Sequence, residues 1–565
     1  MKAYRPVYWM LPLLMLAAAT WTHAKPLREK PALVLQITVH DMRGDFPMRY
    51  KERLGKGGLR YLMQQGTHYT NASFPHAGTE PTVGHAALFT GTSPSRNGIV
   101  AGSWFDRDKD RVITSCEDDR YPLIGKAPVE GEGRAPTQML AATVGDELSM
   151  ATNGGTRMFS VSLKDQGAIL PGGHTGKAFW YSTTDGSFVS SSYYFTQYPD
   201  WVAQWNAKKH ADTYKSRSWQ LLHAPSTYLF GANDRRPFEV DMFGLGTTFP
   251  HPVNADPTLF YATLAATPFG DELTAEFAKA LIREEKLGKG PRTDFLAVGF
   301  SATDSIGRLF GASSLEVEDT ILRVDKLLAD LFRYVDKEIG LDRTLVVLSS
   351  NHGMCETPQH LASLGFDVGC LPSGSVLRDT LAKALNRRLD VPESVVRLYD
   401  HPYVYLNEKE IAKTGVSLAR VEATAAEEIV SIPGIAGALT RTDLLKGTVA
   451  PTPTNMAILD SFHAGRSGNI HVIAAPSTYV TGKTPSALPQ GDDTYVPLFF
   501  AGWGIPAQRI TRPVTPYDIA PTLASILEIK APSGAEGIPL AEVLKENAPA
   551  ENWVTASRTA LPAMR

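Results

Sequence analysis

The sequence predicts an α/β fold built on an open sheet whose strands end in a functional site. Three observations carry this. Residues 31–39, 294–300 and 344–348 are short runs rich in Val, Leu, Ile and Phe, as expected of strands buried on both faces. Each is followed at once by a polar, glycine-containing stretch: HDMRGD, SATDSIGRLFG and SSNHGM. Residues 317–339 form an amphipathic helix with Leu322, Val324, Leu327, Leu328, Leu331 and Val335 at helical spacing. In such sheets the ligand site lies outside the carboxyl ends of the strands, so these loops are where chemistry is expected.

Around this frame, residues 59–65 read as a helix, residues 82–91 as a loop entering a helix, and residues 496–501 as a further strand. Between 116 and 290 the texture changes, with frequent Trp, Tyr, Ser, Gly and Pro, and strand–helix alternation fades. That stretch is expected to be an insertion that caps the site, with a second at 372–476 and a loose tail over 547–565.

The chain has 565 residues, 43% apolar and 20% charged, which is ordinary globular composition with room for a large core. Its formal charge of −3 gives no reason to expect a nucleic-acid or anionic-membrane partner. At the N-terminus Lys2 and Arg5 precede an apolar stretch and Thr22-His23-Ala24, the layout of a secretory signal over residues 1–24. The stretch is shorter than the ~20 residues a span needs, and Pro12 interrupts it. An uncleaved anchor is the alternative. After cleavage no membrane span is expected, and the protein is expected to be periplasmic or secreted. In that compartment Cys355 and Cys370 can pair, leaving Cys116 over; free thiols are the alternative.

The chemistry-bearing segments are FPHAGTEPTVGHAALFTGTSPSRNGIVAGSWFD (74–106), SVSLKDQGAILPGGH (160–174), FSATDSIGRLFG (300–311), SSNHGM (349–354), FHAGRSGNIHVI (462–473), YVPLFFAGWGI (495–505) and PYDIAPTLASILEI (516–529). In this order they resemble the alkaline phosphatase superfamily, most nearly its exported bacterial alkaline phosphatases with a threonine nucleophile, related to the type I phosphodiesterase/nucleotide pyrophosphatase group. The resemblance implies a three-layer sandwich over residues 25–546 with a mostly parallel central sheet and cap insertions. It also implies phosphate-ester hydrolysis outside the cytoplasm. In that family two zinc ions about 4 Å apart hold the attacking and leaving oxygens. A threonine hydroxyl attacks, and an asparagine, a lysine and an arginine hold the phosphoryl oxygens.

Position by position, this chain departs from that set. His40 stands where the first metal aspartate belongs, and Asp41 comes one residue late. A one-residue step turns a strand side chain to the other face unless a bulge intervenes. The nucleophile register, four residues before His85 of the GHA motif, falls on Pro81, which has no hydroxyl. Its neighbour Thr82 can be displaced into the role; Thr79 is a poorer candidate. The oxyanion asparagine is replaced near Gly102 or Ser103. Lys164 stands, but its partner arginine is Gln166. Asp304 stands, but the histidine four residues on is Arg308. His352 stands, but the aspartate before it is Asn351. The last zinc histidine falls in the register of Ser486, within KTPSALPQGDD.

The leading expectation is therefore a pseudo-phosphatase that lacks two-zinc catalysis, holds zinc at partial occupancy at most, and keeps a ligand-binding or interaction role. Its ligand would be a phosphate ester or another anion. The candidate site comprises Thr82 and Lys164 as catalytic residues and Arg308, Gln166 and Ser103 as substrate contacts. His40, Asp304, His352 and Asn351 would form a degenerate metal site. The alternative is an active phosphomonoesterase or phosphodiesterase. In it Thr82 attacks and one metal is held by His40, His352 and Asp304, with Asp41, Asp492 or Asp493 as further candidate ligands. Structural roles stand beside these: a strand-end hydrogen bond for His40, helix capping for Thr82, a salt bridge for Asp304 and Arg308, and packing for His85. The TSPSR segment at 92–96 resembles a sulfatase motif, but Thr92 is neither the Cys nor the Ser that chemistry starts from.

Overall fold

Alternation along the buried strands sets the architecture. In the computed structural model, Leu33, Leu35, Ile37 and Val39 enter one apolar cluster and Val34 enters another on the opposite face. Residues 294–300 repeat the split: Leu296, Val298 and Phe300 go to the first cluster, Phe295 and Ala297 to the second. Successive side chains on a strand point to opposite faces, so a strand apolar at every position must be covered on both sides. The result is the expected three-layer sandwich.

The structure describes residues 29–253, 255–480 and 493–544. The expected signal (1–24), the tail (547–565), Ser486 and Asp492 lie outside the described residues. Among the described residues, those from 31 to 544 belong to one compact unit.

Among the described residues the main sheet has nine strands: β1 (Leu33–Val39), β2 (Thr67–Ser73), β3 (Met158–Ser162), β4 (Lys177–Tyr181), β5 (Phe188–Val189), β6 (Asp294–Phe300), β7 (Thr344–Ser349), β8 (Tyr495–Gly502) and β9 (Gln508–Ile510). Their order is β9-β2-β8-β7-β1-β6-β3-β4-β5. The five strands from β7 to β4 are parallel to one another. The strand expected at 496–501 is β8, and it runs antiparallel to both β7 and β2. The sheet is therefore mixed, with a parallel centre.

Five helices position the site: α1 (Pro81–Thr90), α2 (Gln166–Gly172), α3 (Pro268–Glu284), α4 (Ala302–Phe310) and α5 (Leu315–Glu338). α3 and α5 cover the first face of the sheet. α1 and residues Ile519–Leu527 cover the second. The stretch 116–290 is not only a covering: it supplies β3, β4 and β5 to the main sheet. Its Trp- and Tyr-rich texture hid these short strands. Residues 396–474 build a separate four-stranded antiparallel sheet with its own apolar cluster. This lobe docks on the segment after α1, where Arg466 donates to the carbonyls of Gly98 and Gln138. None of the three cysteines is joined in a disulfide; Cys116 is buried and Cys370 is exposed. No helix among the described residues is long and apolar enough to cross a membrane.

Candidate active site

The site sits at the carboxyl ends of the parallel strands. His40 and Asp41 follow β1, Lys164 follows β3, Asp304 lies in the first turn of α4 after β6, and Asn351 and His352 follow β7. α4 is pinned at its start by Asp271 of α3, whose carboxylate accepts from Ser301 N (2.8 Å) and Ala302 N (3.2 Å). Burial pushes the Asp271 carboxyl up to about 7.

Asp304 is fully buried, and both of its oxygens are engaged by cations. Arg308 Nε, one helical turn along α4, lies 2.6 Å from Asp304 Oδ1. Lys164 Nζ is paired with Asp304 Oδ2. Burial and the neighbouring Arg308 guanidinium bring the Lys164 ammonium down to about 8. The structure thus joins Lys164, Asp304 and Arg308 in one three-member ion network.

Beside it stand Asp41 and His352, with Asp41 Oδ1 2.7 Å from His352 Nδ1. Asp41 has φ of +54°, a left-handed backbone that re-aims the chain as it leaves β1. This turn does what a bulge would do. It brings into the pocket the carboxylate that strict strand alternation would send away, and His40 takes the other direction. Burial, with a smaller push from Asp493, raises the Asp41 carboxyl to about 7, against the pull of Arg308 and Lys164. His352 Nδ1 also lies 2.8 Å from the Gly353 carbonyl. Burial holds the His352 ring neutral, with a pKa of about 3. Its Nε2 is buried and makes no hydrogen bond.

His40 and Asn351 do not join this group. His40 Nε2 is 2.8 Å from His85 Nε2 and 3.2 Å from Ser301 Oγ, so the two imidazoles share a buried hydrogen bond under the pocket. Burial, reinforced by His85, lowers the His40 pKa well below its usual value. Asn351 Oδ1 accepts from Asp41 N at 3.1 Å and His352 N at 3.0 Å. The one oxygen Asn351 could offer a metal is spent on the backbone. Of the expected metal set His40, Asp304, His352 and Asn351, the structure gathers Asp304 and His352 and adds Asp41, and the three form a group that could hold a metal ion. These three are buried, with ligand atoms all within 4.8 Å of one another.

Sequence comparisons place this geometry. Residues 42–496 match the family model described as type I phosphodiesterase / nucleotide pyrophosphatase. The chain belongs to this family, within the alkaline phosphatase superfamily. It is 34% identical to the alkaline phosphatase PhoV of Synechococcus elongatus, over 91% of this chain and 93% of that protein. It is 32% identical to the alkaline phosphatase PafA of Elizabethkingia meningoseptica, over 95% of this chain and 99% of that protein. The crystal structure of wild-type PafA superposes with a TM-score of 0.85 at 30% identity, covering 92% of this chain and 99% of that one.

Among the described residues, one group of side chains could hold a metal ion. Asp41, Asp304 and the free Nε2 of His352 suit a single divalent cation. Seating one requires Asp304 to leave Lys164 and Arg308. Asn351, committed to the backbone, and Arg308, with its fixed charge on Asp304, do not add to that group.

The remaining expected residues lie nearby. Thr82 is in the first turn of α1, which begins at Pro81, rather than in a loop before it. Its hydroxyl is buried without a hydrogen-bond partner, and a Cβ on Gly102 would lie 3.6 Å from it. The Gly102 N–H donates to Glu80 Oε2 at 2.5 Å. Glu80 is a residue the motif reading passed over, and it brings a carboxylate to the region of the missing oxyanion asparagine. Ser103 is half-buried at the start of the strand Ser103–Asp106. Gln166 is half-buried and opens α2, its N–H held by Asp165 Oδ1 at 2.8 Å. Asp493 reaches the site from the other side: its carbonyl accepts from Gly353 N at 2.5 Å, and its carboxylate contacts Thr79 and Cys355.

Proposed function

We propose that the chain recognises a phosphate ester or a related oxyanion in a pocket that has lost two-metal phosphatase catalysis, as a pseudo-phosphatase. The observation that carries this is the pairing of both Asp304 oxygens with Lys164 and Arg308. Two internal cations stand where a metal phosphatase needs its ligand free. Arg308 adds a charge that no pH in the physiological range removes. Pro81 in the nucleophile register has no hydroxyl. What remains is a partly exposed lysine and arginine over a buried carboxylate, the pair of groups that suits a tetrahedral oxyanion.

The relatives are named alkaline phosphatases, and that supports phosphate esters as the ligand class. The expected signal over residues 1–24 supports export to the periplasm or medium. The mass of the mature chain tests that point, since retention of residues 1–24 contradicts it.

A second reading is favoured by one observation, the Asp41–Asp304–His352 group. It is a hydrolase using a single divalent cation, with Thr82 as nucleophile. A bound ion would supply Lewis acidity and lower the pKa of a hydroxyl. Thr82 would provide that hydroxyl, and Lys164 and Arg308 would hold the phosphoryl oxygens.

Elemental mass spectrometry on zinc-supplied, chelator-free protein separates the readings, combined with a panel of phosphate mono- and diesters. Two zinc ions with turnover defeat the pseudo-phosphatase. One ion, with turnover lost to a chelator and to Thr82→Ala, supports the single-ion hydrolase. Saturable oxyanion binding without turnover supports the proposal.

A further inference from the structure

We propose that a divalent cation and an oxyanion bind this pocket with positive coupling, and that Asp304 is the group through which each promotes the other. This rests on the reading of the pocket as an oxyanion site. Two observations meet at one carboxylate. Asp304 is fully buried and bears both Lys164 and Arg308, whose side chains are 30% and 31% exposed. The same carboxylate is one of the three groups, with Asp41 and His352, poised within 4.8 Å to hold a cation.

Asp304 cannot serve both roles at full strength. While it pairs with Lys164 and Arg308, an arriving cation meets two positive side chains, and an arriving anion meets two cations already neutralised. A divalent ion seated on Asp41, Asp304 and neutral His352 is balanced by two carboxylates. Lys164 and Arg308 are then left as two uncompensated positive charges. A phosphate dianion balances those in turn. Either ligand alone must separate Asp304 from its cations, and the second ligand finds them already apart. Coupling of this kind is reciprocal. Arg308 is one of the departures from the superfamily pattern, so the device belongs to this chain.

The test uses the full chain, with Mn²⁺ followed by the electron paramagnetic resonance signal of the free ion and inorganic phosphate followed by calorimetry. The phosphate Kd is expected to fall by about tenfold or more at saturating Mn²⁺, and the Mn²⁺ Kd by the same factor at saturating phosphate. In Asp304→Asn, phosphate is expected to bind more tightly without metal, and the coupling factor to shrink to within about twofold of unity. If that variant does not fold, Arg308→Gln serves instead: it keeps both carboxylates, and its Mn²⁺ affinity without phosphate is expected to rise. Equal phosphate affinity with and without Mn²⁺ overturns the coupling, as does mutual weakening or coupling that survives in both variants. Phosphate binding by a chain that takes no Mn²⁺ also overturns it, and leaves the oxyanion reading standing. Absence of phosphate binding under either condition overturns that reading and the coupling together.

Discussion

Arg308 Nε lies 2.6 Å from Asp304 Oδ1, one turn away on the same helix. Where the superfamily sets an imidazole to share a metal with that aspartate, this chain sets a guanidinium that binds the aspartate directly. An Arg–carboxylate pair is charge-assisted, and removing a partner from a buried pair leaves an uncompensated charge. The chemistry of the pocket turns on which partner holds Asp304.

Arg308→His should restore a neutral nitrogen donor and remove a repelling charge. Bound zinc is expected to rise from substoichiometric to about one ion per chain or more. Elemental mass spectrometry of the two proteins purified side by side checks this. Unchanged zinc would mean that Asp304 is not the limiting ligand.

Thr82→Ala should leave phosphate affinity within about twofold of the parent, because the Thr82 hydroxyl makes no hydrogen bond. Calorimetry reads this directly. If the parent hydrolyses a phosphate ester and Thr82→Ala lowers kcat by about 100-fold or more, the hydroxyl is a nucleophile and the pseudo-phosphatase reading is lost.

Stability should fall as pH drops below 6.5. Burial depresses His76 and His85 to about 3 and His68 and His471 to about 4. Below 6.5 the unfolded chain takes up these protons and the folded chain does not, so each group removes up to about 1.4 kcal/mol per pH unit. Asp41, Asp271 and Glu239 act oppositely: raised to about 7, about 7 and about 8, they gain stability as pH falls towards 4. His352, also held at about 3, adds to the histidine side. Urea denaturation between pH 7 and 4.5 should show a declining free energy, and a flat profile would contradict the buried neutral imidazoles.

Gly84→Ala should be poorly tolerated. A Cβ on Gly84 would lie 1.7 Å from the Asn351 carbonyl, so α1 would have to lift off the segment carrying His352. A destabilisation of about 1–3 kcal/mol or more is expected. The thermal midpoint measures it, and phosphate affinity should weaken with it.

Much of the frame was legible in the residues. Three apolar runs each followed by a polar glycine loop placed the parallel centre of the sheet and the end at which the site lies. The periodicity of 317–339 placed α5 to within two residues at its start. Ordered motifs gave the superfamily, because each is a loop whose spacing the sheet imposes. β3, β4 and β5 were missed because they are two to five residues long and sit among Trp, Tyr and Ser, where period and composition carry little signal. The direction of β8 was also hidden, since a buried apolar strand reads the same either way.

The sequence by itself determined which groups the pocket lacks: no hydroxyl at Pro81, no carboxylate at Asn351, an arginine at Arg308. These are matters of covalent chemistry and do not wait on folding. Only the tertiary structure decided what the surviving groups do. It turned His40 down to His85 and brought Asp41 in through a left-handed residue. It set Lys164, 140 residues before Asp304 in the chain, onto the same carboxylate as Arg308. Strand register and a single backbone angle fix such directions, and their consequence is electrostatic. A carboxylate within reach of two cations and two potential metal ligands has its role assigned by geometry.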